Sequence, residues 1–87
     1  MSPSSFTFKL SVPNDPDSVI IIGEVARHAA GYANIEAGAA DAFAGRAKAA
    51  AGKAMKAGGA TTQVVFAAAD GALTATIGSE SVSESLS

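Results

Sequence analysis

The chain has 87 residues, a formal net charge of −2, 48% hydrophobic residues and no cysteine. That length holds one domain, the small negative charge offers no field for nucleic acid or anionic lipid, and the lack of cysteine excludes disulfides and thiolate metal sites and fits a reducing compartment. No run reaches the ~18 apolar residues of a membrane span, and Met1-Ser-Pro-Ser-Ser places no charge before an apolar core, so a cytoplasmic protein is expected.

Residues 6–12 alternate strictly: Phe6, Phe8, Leu10 and Val12 point one way, and Thr7, Lys9 and Ser11 the other. Period two predicts a half-buried strand at about 5–12, ended by Pro13, which has no N–H to give a neighbour. Asn14-Asp15-Pro16-Asp17 then predicts a helix start, with Asp15 as cap, Pro16 in the first turn and Asp17 at the positive end of the dipole. This helix spans about 16–30 with Gly31 as its stop. Val19, Ile22, Ala26 and Ala29 make its inward stripe. Ile20 and Ile21 fall outside that stripe and belong either to a broad core face or to a partner surface.

A second helix is expected over about 35–57, with Asn34 as cap, Glu36 in its first turn, and Lys53 and Lys56 in its last. Ala39, Phe43, Ala47, Ala50 and Ala54 follow helical spacing, and alanine lets that face lie close on a sheet. Gly58-Gly59 closes it. Val64 to Ala69, Asp70-Gly71 and Ala72 to Ile77 form a hairpin with strands at about 62–69 and 72–78. Pairing Ala69 with Ala72 places Val64, Phe66, Ala68, Leu73, Ala75 and Ile77 on one face, against the apolar face of the first strand. Residues 79–87, rich in serine and glutamate, bury too little to order themselves and are expected to fray. The plan is a single α+β domain over 1–78, ordered β-α-α-β-β: a three-stranded, mainly antiparallel sheet with two helices on one face.

Little on this frame carries chemistry. His28, the only histidine, stands four residues after Glu24 and has no nucleophile spaced to make it a catalytic base. One imidazole and scattered carboxylates do not build a metal site. Arg46, Lys48, Lys53 and Lys56 make one side of the second helix basic, which reads as a solvated face complementing the helix dipole; no aromatics stand nearby for stacking bases. Gly38, Gly45 and Gly52 recur every seven residues and weaken the helix by roughly 1 kcal/mol each relative to alanine. They either admit another backbone or reflect an Ala/Gly-rich composition.

With the elements placed, the chain resembles the anti-sigma-factor serine kinases of bacteria, small members of the histidine-kinase-like ATPase superfamily. The resemblance covers residues 6–78. It is carried by the strand ending in Val12-Pro13, the Asp15-Pro16 helix start, the link containing Gly31, the Ala-rich second helix and the Asp70-Gly71 hairpin. In that family the second helix carries a Glu and, four residues later, an Asn that holds the magnesium of ATP; the matching positions here are Arg46 and Ala50. The family's adenine-reading Asp-x-Gly-x-Gly segment is replaced by Ile77-Gly78-Ser79-Glu80. The resemblance therefore implies a truncated, degenerate relative with no ATP binding, no kinase activity, no cofactor and no catalytic or metal-binding residue.

The expected function is a non-catalytic, protein-binding regulatory module of the anti-sigma-factor kind. A reduced ATPase completing its site with another chain, or a self-associating assembly protein, are the alternatives. The partner would be a sigma factor, an anti-sigma-antagonist-type domain or a second copy, not nucleic acid or membrane. Large core groups are few, which points to a homodimer. Its candidate surfaces are the open sheet face, carrying Val65, Ala67, Thr74 and Thr76, and the first helix, carrying Ile20 and Ile21.

Overall fold

The computed structural model describes residues 6–56, 58–69 and 71–85. In chain order it contains β1 (Phe6–Pro13), α1 (Pro16–Tyr32), α2 (Ala37–Lys56), β2 (Thr61–Ala69), β3 (Ala72–Ile77) and β4 (Glu80–Ser85). The strands form one sheet in the order β1-β2-β3-β4, antiparallel at every step. Both helices lie against one face of it. This is the expected α+β class with one strand more than expected. Ser5, Ala57, Asp70 and residues 86–87, all part of the expected elements or tail, lie outside the described residues.

The hairpin register is the one the alternation implies. Ala69 faces Ala72, and Val64, Phe66, Ala68, Leu73, Ala75 and Ile77 are all buried on the helix side. Gly71 has a φ of 78°, a region that glycine enters without penalty.

Asp15 starts α1 as its sequence context implies. Its carboxylate accepts from the Ser18 N–H at 3.0 Å and from the Ser18 hydroxyl at 3.2 Å. The other end differs from expectation. Gly31 stays inside the helix, and Asn34, at φ 63°, terminates it. The Ile35 N–H donates to the Ala30 carbonyl at 2.9 Å and the Asn34 N–H to the Gly31 carbonyl at 3.0 Å, a Schellman closure with asparagine in the left-handed position. Asn34 thus finishes α1 instead of capping α2, where the Glu36 carbonyl accepts the first bond from the Ala40 N–H at 2.8 Å. Nearby, the Asn14 amide donates to the Gly58 and Gly59 carbonyls at 3.1 and 3.0 Å and accepts from the Thr62 hydroxyl. One side chain therefore ties the exit of β1 to the entry of β2.

Alanine decides how α2 sits. Ala40, Ala44, Ala47, Ala50, Ala51 and Ala54 are buried around Phe43, and the helix lies directly on β3 and β4. Against α1, the closest point is Gly23, where a Cβ would come within 2.6 Å of the Lys48 stem. The glycines at 45 and 52 have no such neighbour within 4 Å, so they do not mark a close backbone approach within this chain.

Two expectations need correction. Residues 80–85, expected to fray, form β4, because Gly78 (φ 60°) and Ser79 make a two-residue loop that sets Ile77 opposite Glu80. A positive φ at the first loop residue alone is the type II′ arrangement, whose twist matches that of a hairpin. Val82 packs on the core, and the Arg46 guanidinium donates to the Ser83 carbonyl at 2.8 Å and to the Glu84 carboxylate at 2.7 Å. The second correction concerns Phe8. It lies on the helix side, opposite Phe66, yet remains 46% exposed. The reason is the position of α1, which reaches the sheet chiefly at β2 and leaves the edge strand only partly covered at Phe8, whereas Val12 is buried and Phe6 and Leu10 are half-buried.

Candidate functional site

The charged groups are dispersed rather than convergent. Arg46 is engaged with β4, the stem of Lys48 lies along Gly23, and Arg27 pairs with Asp41 at 3.0 Å across the two helices in largely open water. Among the described residues, no three His, Asp or Glu side chains are close enough to hold a metal ion. No helix among them is long and apolar enough to cross a membrane.

The distinctive surface is apolar. Between β1 and α1 runs a groove of about 490 Å³, with Phe6, Thr7 and Phe8 along the strand and Val25, His28, Ala29 and Tyr32 along the helix. The edge of the Phe6 ring meets the Tyr32 ring at a centroid distance of 5.3 Å and an angle of 73°, and Phe8 stacks on buried Phe66 at 6.3 Å. Such aromatic pairs fix ring orientation and add to the area they bury. Tyr32 is nevertheless 78% exposed. Large aromatic groups in water beside an unpaired strand edge are the usual composition of a docking surface.

Local sequence builds this site simply. The β1 alternation sends Phe6 and Phe8 to the helix side, while Val25, His28 and Tyr32 recur at three and four residues along α1. Ile21 stands one turn before Val25 on the same stripe and is 47% exposed, which extends the apolar wall. The Schellman closure at Asn34 carries α1 past Gly31, and so gives Tyr32 a place on the helix.

The six residues expected to face a partner do not form one patch. Ile20, 60% exposed, borders a separate crevice with Glu24, Arg27, Asp41 and Lys48, on the α2 side of α1. Val65, Ala67 and Thr74 are half-buried and Thr76 is exposed, all on the opposite side of the sheet. There the cross-strand rows read Thr7-Ala67-Thr74-Ser83 and Lys9-Val65-Thr76-Ser81. Of the six, Ile21 alone shares the α1 stripe of Val25, His28 and Tyr32, and it does not line the groove itself. Tyr32 and the exposure of Phe8 escape sequence reasoning: the alternation assigns Phe8 to a core, and only the placement of α1 shows that this core takes in Val12 of β1 but leaves Phe8 at its margin. No family model, curated protein or solved structure matches the chain.

Proposed function

We propose that this chain is a non-catalytic, protein-binding regulatory module, a degenerate relative of the anti-sigma-factor serine kinases, and that it docks its partner in the groove between β1 and α1. The observation that carries the docking reading is Phe8 partly and Tyr32 mostly in water, beside a strand edge that is unpaired among the described residues. An extended segment added to β1 would gain backbone hydrogen bonds and apolar contacts with the groove at once. The non-catalytic part of the reading is supported by the positions that match the family's magnesium-holding pair. Arg46 braces β4, and Ala50 is buried in the core. A cytoplasmic setting goes with a sequence that has no cysteine.

Affinity capture with the wild-type chain and with Phe8→Glu tests the docking reading. The expected result is a specific polypeptide retained by the wild type and lost from the folded variant. Retention unaffected by Phe8→Glu would move docking away from the groove. Calorimetric titration with magnesium-ATP should give no binding heat; saturable, magnesium-dependent binding would favour the reduced-ATPase reading instead.

A further inference from the structure

We infer that the groove is a homodimer interface in which β1 pairs with β1 of a second copy across a two-fold axis, making one continuous eight-stranded sheet from two four-stranded ones. This rests on the docking reading above and names its occupant.

The first argument is the difference between the two edges of the sheet. Natural sheets protect their free edges with short strands and inward-pointing charges. At the β4 edge, Glu80 and Glu84 both lie on the helix side, paired in register with Ile77 and Leu73. A second sheet pairing there would have to bury the Glu80 carboxylate and close over the Arg46–Glu84 ion pair. At the β1 edge the helix-side residues are Phe6, Phe8, Leu10 and Val12, with no charge among them. One edge is guarded and the other is open. Association through the open edge alone closes at two copies and cannot propagate into a fibre.

The second argument is geometric. Because α1 reaches the sheet over β2, the two α1 helices of such a dimer would stand three strand spacings apart, roughly 14 Å. Directly packed helices need only about 8–10 Å. The gap is the width that two sets of Phe6, Phe8 and Tyr32 are placed to fill. Register follows from charge. Centring the axis on Lys9 would set two ammonium groups directly opposite each other, which is unfavourable. Centring it on Phe8 pairs that ring with its copy and sets Thr7 opposite Lys9.

The third argument is area. Tyr32 and Phe8, at 78% and 46% exposure, leave about 250 Å² of aromatic surface uncovered, taking roughly 200 Å² per side chain. Two copies contribute about 500 Å², close to a third of the ~1,600 Å² of a standard interface, before the strand edge, Ile21 and Leu10 are counted.

Sedimentation equilibrium at tens of micromolar tests this with the wild type, Phe8→Glu, Tyr32→Lys and, on the other sheet face, Val65→Lys; circular dichroism reports folding of each. The expected result is a dimer for the wild type and Val65→Lys, and a dissociation constant raised at least about 30-fold for Phe8→Glu and Tyr32→Lys, as for central interface anchors. Tyr32→Lys carries the test if Phe8→Glu does not fold, since so exposed a side chain supports little of the core. A monomeric wild type overturns the inference, as does a dimer dissociated by Val65→Lys but not by the groove variants. A monomer that still captures a polypeptide in a Phe8-dependent way overturns the second copy as occupant and leaves the docking reading standing. Loss of both removes both.

Discussion

The two ends of the sheet are covered by helices of opposite character. Over β3 and β4 lies α2, whose inner face is mostly alanine around Phe43, with Met55 half-buried near its end; it settles close, and Leu73, Ala75 and Ile77 beneath it are fully buried. Over β2 lies α1, which carries Val19, Ile22 and Val25 and leaves Phe8 of the edge strand nearly half exposed. Small side chains bring a helix down onto a sheet, and the backbone contacts that follow are hard to displace. Larger ones at an edge leave a margin. The same chain therefore has a sealed end and an open end, and the open end is where the aromatic side chains gather.

Filling or emptying the sealed end should have the largest effects. Phe43→Ala removes the largest buried side chain of α2 and should destabilise the fold by about 3–5 kcal/mol, measured by urea unfolding. With so few large groups in the core, that variant is expected to be substantially unfolded. A fully folded Phe43→Ala would mean that alanine packing alone holds this end. Next, Ala47→Leu tests the close approach itself: overpacking should cost about 1–3 kcal/mol by the same measurement. No change there would show that α2 has room to rise off the sheet. Smallest is Arg46→Ala. The ion pair is partly open to water, with side-chain exposures of 45% and 23%, so the global loss should be about 1 kcal/mol or less. Amide exchange should nonetheless quicken locally along residues 80–85, and uniform protection there would show that β4 needs no brace.

Much of this architecture is legible in the residues themselves. Strict alternation over 6–12, Asp15-Pro16 and the Asp70-Gly71 pair between apolar runs place four elements and the hairpin register, because each is a local signal that tertiary packing reinforces. β4 was hidden by composition: Glu80, Ser81, Ser83, Glu84 and Ser85 look like a solvated tail. The signal that outweighs composition is Gly78-Ser79, a loop pair suited to a type II′ turn, followed by period-two placement of Val82. Its ladder to β3 and the Arg46 contacts supply what the side chains of β4 lack. Asn34 illustrates a different ambiguity, since the same residue type suits the start of one helix and the left-handed end of another. The groove was the least legible feature. Whether Phe8 is core or surface depends on where α1 comes to rest, a non-local outcome that no window around Phe8 contains.

The connection between β1 and β2, its one partner strand among the described residues, has a kinetic consequence. Phe6 faces Ala68, so both helices lie in the loop that must close before this ladder can form. The β2-β3-β4 ladders, by contrast, close over short hairpins. Loop closure is slower and entropically less favourable for the long connection. β1 is therefore expected to join last on refolding and to open first under stress. Pulsed hydrogen exchange would show protection arriving late at residues 6–12. The strand that receives a partner would then be the one whose own attachment is most easily reversed, and occupancy of its free edge would slow unfolding of the whole chain.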